Sequence, residues 1–235
     1  MLTDSLGLLS PFMRGFTQPS TLLNIVSSDA KMLGAYGMKM PHDERYTMAD
    51  EYPTIFKRLF AGESVTYEGQ YFSVEGAKLA LPAGEKIQIP PLWFGGSSNP
   101  AIEVAAKHVD TYLLSWGETP DEIGTRVNER AASYGRTLQH GVRLYVILRD
   151  RDEEAWAEAD KLLSLVDDDA IAANQRFVGN SDSVGQRRMS ALHQGKRPKH
   201  ARELEIAPNL WSGLRLVRPG PGTAIVGSSE TVIAR

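Results

Sequence analysis

The stretch Pro91-Leu92-Trp93-Phe94-Gly95-Gly96-Ser97-Ser98-Asn99-Pro100, running into Ala101-Ile102-Glu103-Val104-Ala105-Ala106, decides how this chain is read. An apolar run ends in two glycines and two serines, and a helical apolar pattern follows at once. That order predicts a βα unit with a tight turn at a helix N-terminus. The first amides of such a helix have no intrahelical carbonyl and sit at the positive end of its dipole, so the turn suits a phosphate. Gly96 lets the backbone come close, and Ser97 and Ser98 add hydroxyl donors. Taken alone, the turn reads equally well as an ordinary strand-to-helix connection with Ser as N-cap. Its surroundings separate the two readings.

Before the turn, Thr21 to Ser27 reads as a short buried strand, and Ser28-Asp29 as a cap for a helical turn through Leu33. His42 opens a helix whose stripe of Tyr46, Met48, Ala49, Tyr52, Ile55, Phe56, Leu59 and Phe60 ends at Gly62. Ser64 to Val74 alternates about Glu68-Gly69, a β-hairpin signal. After the turn's helix, Val109 to Trp116 reads as a second buried strand, and Thr119-Pro120-Asp121-Glu122 as a helix start. His140 to Leu148 reads as one further strand with Arg143 inside it, and Asp152 begins a helix to about Leu165. Alternating strands and helices imply parallel βαβ units. From Asp167 to about Pro221 the pattern loosens into an expected insertion, of the kind that forms lids, containing the basic run Lys196 to Arg202. Thr223 to Gly227 is a last short strand, with Ser228 capping a final helix.

The bulk composition excludes several classes. With 42% hydrophobic and 23% charged residues in 235, the chain reads as an ordinary globular protein. A formal net charge of −3 gives no basic footprint for nucleic acid. No apolar window is long enough for a membrane span, and Met1 to Ser5 carries no basic signal region. Zero cysteines excludes thiolate metal sites and a Cys nucleophile, and fits a cytoplasmic protein. The five histidines show no zinc-binding spacing, so no metal is expected.

The order of these segments resembles the bacterial luciferase-like flavin monooxygenases, most closely the two-component FMNH2-dependent alkanesulfonate monooxygenases. The matching segments are Asn24-Ile25-Val26, His42 to Tyr46, Glu75 to Leu79, Pro91 to Ser98, Ser115 to Glu118, Gly141 to Leu144, Asp182 to Met189, Ala207 to Trp211 and Leu216 to Arg218. The resemblance implies a TIM (β/α)8-barrel fold with its site at the C-terminal strand ends. It implies reduced FMN as cofactor and O2 as co-substrate, an NAD(P)H-dependent FMN reductase as partner, and a small-molecule sulfonate as substrate, released as sulfite and an aldehyde.

By that resemblance Gly96, Ser97 and Ser98 match the flavin-phosphate turn. His42 and Tyr46 match positions beside the flavin, and Asn24 and Ser27 close a strand at the same face. Arg143 is the sharpest physical anomaly, because a guanidinium inside a buried strand is costly unless paired. It reads either as a structural ion pair or as a fork for sulfonate. Trp116 matches a pocket wall, and Arg218 a loop arginine that closes over substrate. Tyr145 stands where the related enzymes carry histidine, which bears on proton handling or substrate choice.

The resemblance leaves the first three strands and the eighth without counterparts. The expected fold is therefore one partial domain over 1–235, an incomplete barrel of about four core parallel strands, with 167–221 as an insertion or mobile loop before the last short strand. Exposed edges then predict a homo-oligomer. Two alternatives stay open: a non-catalytic homologue that binds flavin weakly or only self-associates, and a monooxygenase of another organosulfur or ketone substrate.

Overall fold

The computed structural model describes residues 22–27, 29–80, 89–114, 120–191, 197–218 and 222–235. Trp116, the segment 1–20 and the approach to the turn at Leu81 lie outside the described residues. The chain forms two compact units. One comprises residues up to Tyr112 with Arg126–His140, and the other Leu113–Thr125 with Gly141–Arg235.

In the first unit the chain enters strand β1 (Leu23–Ile25), then helix α1 (Ala30–Ala35), which Asp29 caps by accepting the Lys31 amide at 2.9 Å. Helix α2 (His42–Phe60) buries the expected stripe of Tyr46, Ala49, Ile55, Phe56, Leu59 and Phe60. The hairpin of β2 (Val65–Glu68) and β3 (Ser73–Ala77) follows. Strand β4 (Leu92–Phe94) feeds helix α3 (Asn99–His108), and the chain goes on to β5 (Thr111–Leu114), helix α4 (Pro120–Ser133) and β6 (Gln139–Val142), three elements whose residues are divided between the two units. These strands form one sheet in the order β1-β4-β5-β6, with β4 parallel to both neighbours. Among the described residues the sheet is open, with β1 and β6 at its edges, consistent with an incomplete barrel. Leu92, Phe94, Ala105, Val109 and Val127 are fully buried, and helix α2 packs against α3, the helix that follows β4.

Thr21 to Ser27 is not the buried strand expected. Only Leu23–Ile25 is extended, and Leu22 and Val26 stay 43% and 68% exposed. Among the described residues β1 pairs with β4 alone.

The second unit holds β7 (Tyr145–Leu148), helices α5 (Asp152–Ser164), α6 (Asp168–Gly179) and α7 (Val184–Ala191), strands β8 (Glu205–Ala207), β9 (Leu210–Trp211) and β10 (Ala224–Gly227), and helix α8 (Ser229–Ala234). Its sheet runs β7-β10-β9-β8, with β10 parallel to β7 and antiparallel to β9. All of β10 is buried, and Asp152 ties two helix starts together by accepting the Ser228 amide at 2.6 Å and the Thr231 hydroxyl at 2.9 Å.

Described residues between 168 and 218 take part in a core. Ile171, Leu204, Trp211 and Leu216 join Trp156, Leu163 and Val226 in one hydrophobic cluster. The basic run is anchored too: the Arg202 guanidinium lies 4.4 Å from the centre of the Trp156 ring, and Arg197 pairs with Asp168 at 3.3 Å. The segment's apolar residues are few and widely spaced, so no periodicity announced a core they complete only with partners far along the chain.

Candidate functional site

The strand–turn–helix after β4 forms as the sequence implied. Ser98 is the N-cap of α3, its hydroxyl accepting the Ala101 amide at 3.4 Å, and Pro100 occupies the first turn, where no amide partner is needed. Ser97 is buried to 6% exposure. A side chain at Gly96 has no room: a Cβ there would lie 2.8 Å from the Ala101 Cβ and 3.6 Å from the Tyr46 hydroxyl. The backbone at 96 is therefore bare and held close to α3. The residues present fit a phosphate group, with first-turn amides, two serines and a Gly cradle that a side chain would fill.

Tyr46 joins the turn from α2. Its ring meets Phe94 edge-on at 6.3 Å, and the His42 ring, one helical turn earlier, lies 4.8 Å from it. His42 Nδ1 is 2.7 Å from Asp43 Oδ1. Asn24 pairs in register with Trp93 and is exposed, and Ser27 follows β1 by two residues as Gly96 follows β4. The fold thus gathers His42, Tyr46, Gly96, Ser97 and Ser98 around one turn, with Asn24 on the adjoining strand and Ser27 just past its end.

Two participants were missed. The Tyr112 hydroxyl donates to the Gly96 carbonyl at 2.5 Å and so fixes the turn from the next strand. A tyrosine in a buried strand must satisfy its hydroxyl, and that was the available signal. Arg126 of α4 donates from Nη2 to the Asn99 side-chain oxygen at 2.6 Å, beside an open groove of about 450 Å³ lined by Asn99, Ile102, Glu103 and Arg130. In that groove Arg130 clamps Glu103 at 2.5 and 2.9 Å, and Tyr134 also donates to Glu103. The Arg130 hydrogen bonds, foremost, hold the Glu103 carboxyl down at about 2.

In the second unit the structure corrects the reading of Arg143. The expected strand His140 to Leu148 is two strands, β6 and β7, in different sheets, and Arg143 lies in the break, exposed to solvent. The burial argument for pairing it therefore falls away. Arg143 and Tyr145 therefore do not share one strand face, since strand alternation does not run through the break.

Tyr145 and Arg218 do meet. Arg218 Nη1 donates to the Tyr145 phenol oxygen, and its guanidinium lies 5.3 Å from the ring centroid. Beneath them Arg215 is fully buried, bonding Gln186 O at 2.9 Å and Gln186 Oε1 at 2.6 Å, and donating to the Arg218 carbonyl at 3.4 Å. Burial pulls the Arg215 guanidinium down to about 10, which leaves it charged at neutral pH. Among the described residues no cluster of His, Asp and Glu has metal-ligating geometry, and no helix is long and apolar enough to cross a membrane.

An open parallel sheet with a Gly-Ser turn feeding a helix, and tyrosine and histidine gathered on that turn, define an α/β protein of the barrel-forming kind. The luciferase-like monooxygenase family model matches residues 21–235, and the chain belongs to that family. Solved structures agree on the fold. DmoA from Hyphomicrobium sulfonivorans superposes with a TM-score of 0.62 at 21% identity, covering 90% of this chain and 52% of that one. The long-chain alkane monooxygenase LadA gives 0.58 at 20% identity, covering 86% and 50%. Riboflavin lyase RcaE, solved with modified FMN and riboflavin, gives 0.61 at 20% identity, covering 90% and 54%. The chain spans about half the length of these proteins.

Proposed function

We propose that this chain carries the central part of an FMNH2- and O2-dependent monooxygenase that desulfonates alkanesulfonates. The balanced reaction converts R-CH2-SO3−, O2 and FMNH2 to the aldehyde, sulfite, water, FMN and a proton. The observation that carries the flavin reading is the Gly96 cradle, closed by Ala101, Tyr46 and the Tyr112 hydroxyl at the start of α3. Gly96, Ser97 and Ser98 would hold the flavin phosphate. Tyr46 and His42, with Asn24 and Ser27, would flank the ring system. When bound, the reduced flavin supplies the electrons that activate O2. Arg218 and Arg143 supply positive charge for the sulfonate, Tyr145 bears on substrate choice, and Trp116 is assigned to the pocket wall by the resemblance alone. A separate FMN reductase supplies the flavin.

Anaerobic titration with photoreduced FMN and photoreduced riboflavin tests the reading. Preference for FMN, lost when Ser97 and Ser98 are both changed to Ala, supports it. Equal binding of both flavins sinks the phosphate assignment. Sulfite release from octanesulfonate with a reductase present then tests the chemistry.

One observation favours a second reading, in which association dominates. Among the described residues strand β1 is a sheet edge flanked by the exposed Leu22 and Val26, and β7, also an edge among them, exposes Val146 and Leu148 to 49% and 48%. Uncovered edges of this kind recruit other strands. Sedimentation of the purified chain distinguishes the cases: a stable dimer supports self-association, and a monodisperse monomer at tens of micromolar (about tenfold above common assay levels) removes it.

A further inference from the structure

The groove of about 450 Å³ between α3 and α4 holds two cations and two carboxylates. One pair is closed on itself: Arg130 clamps Glu103 at 2.5 and 2.9 Å. The other pair is open. Arg126 and Glu129 stand three residues apart on α4, a spacing that makes them neighbours on the helix surface and lets an Arg and a Glu join. Here Asn99, at the start of α3, draws the guanidinium across the groove instead, its side-chain oxygen accepting from Arg126 Nη2 at 2.6 Å. No carboxylate pairs with Arg126, and no cation with Glu129, among the described residues. The bond to Asn99 also builds a donor surface. With the Asn99 oxygen occupied, the NH2 of the same carboxamide lies beside the guanidinium, and neither that NH2 nor Arg126 Nη1 has an acceptor among the described residues. One carboxylate can accept from both groups. Ile102, 5% exposed, adds an apolar patch to the lining. Balanced charge in the groove disfavours a phosphate or any other lone anion.

We propose that this groove is a second ligand site that takes a small zwitterion, an α-amino acid with an apolar side chain. Its carboxylate accepts from Arg126 and Asn99, its ammonium donates to Glu129, and its side chain lies over Ile102. The short reach between neighbouring positions on one helix matches the close spacing of ammonium and carboxylate on a single carbon. Gly96, Ser97 and Ser98 do not line the groove, so the site is separate from the flavin turn.

Calorimetric titration of the full chain with L-leucine tests this, beside 4-methylpentanoate, which lacks the ammonium, and 3-methylbutylamine, which lacks the carboxylate. Leucine is expected to bind with a Kd of about 1 mM, as its few heavy atoms allow, and each analogue about tenfold more weakly. Arg126→Gln and Glu129→Gln each remove one charge from the surface of α4, and a thermal melt confirms that the fold is retained. Arg126→Gln should lower leucine to the level of the amine and leave the amine unchanged. Glu129→Gln should lower leucine to the level of 4-methylpentanoate and leave that acid unchanged, a crossed pattern that a merely structural role does not give. Leucine that shows no saturation at about 10 mM, tenfold above the expected Kd, overturns the proposal. So does leucine that binds no better than either analogue, or that binds both variants as tightly as the parent. The flavin reading stands or falls separately, on the FMN and riboflavin titrations.

Discussion

The Glu51 carboxylate occupies the space that a side chain at residue 69 would need, so Gly69 is the only residue that leaves it in place. From there Glu51, 5% exposed on α2, accepts the amides of Gln70 at 2.7 Å, Tyr71 at 3.0 Å and Phe72 at 2.9 Å. One buried carboxylate satisfies the whole turn of the β2–β3 hairpin and pins it to the helix. Glu51→Gln removes the charge and turns an NH2 group toward some of those amides. Its expected cost is about 2–3 kcal/mol in urea denaturation, with amide exchange at 70–72 rising most. An unchanged denaturation midpoint would show that the hairpin does not depend on Glu51.

Gly96→Ala sets a methyl against Ala101. The expected cost is about 1–3 kcal/mol of stability, together with loss of any preference for reduced FMN over reduced riboflavin. Retention of that preference at full stability would mean that α3 shifts freely and that the cradle is not a cradle.

Tyr112→Phe deletes only the hydroxyl that holds the Gly96 carbonyl. About 1 kcal/mol of stability should go, while FMN affinity falls more than riboflavin affinity because the turn that meets the phosphate loosens. Equal losses for the two flavins would place the effect on the strand and not on the turn.

Glu103 gives a pH dependence with a defined sign. Its folded carboxyl is held at about 2, against an ordinary 4.5, chiefly by Arg130. The stability it contributes is fully present above about pH 4.5 and is lost as pH falls toward 2, because the unfolded state takes up the proton first. Because Glu103 is partly exposed, solvent and salt reduce the effect. Glu103→Gln should flatten the fall in melting temperature between pH 4.5 and 2 and leave the pH 7 to 8 slope untouched. Parallel acid slopes for parent and variant would remove Glu103 from the account.

Helix α2, the hairpin, α3 with its turn, and α5 were legible because each carries its own signal: a 3.6-residue stripe, an alternation about Glu-Gly, a cap, an acidic first turn. The family was legible from the order of motifs. What failed depended on partners. The run Val142 to Leu148 looks like one buried strand, yet Val142, Val146 and Leu148 stay exposed and the chain changes sheets at Arg143, because pairing with β5 ends where pairing with β10 begins. Arg143 was singled out for a burial it does not have. The meeting of Tyr145 with Arg218 had no local sign at all, since 73 residues separate them.

The parallel pairing of Tyr145–Leu148 with Ala224–Gly227 has a consequence in time. On a ribosome adding about 5–20 residues per second, the first strand waits roughly 4–15 s for its partner to be made. Through that interval Val146, Ile147 and Leu148 have no strand beside them, and Asp152 has no Ser228 amide to accept. The nascent chain is thus most open to wrong pairing between the synthesis of Leu148 and that of Ala224, and the arrival of Ala224–Gly227 closes the vulnerable stretch.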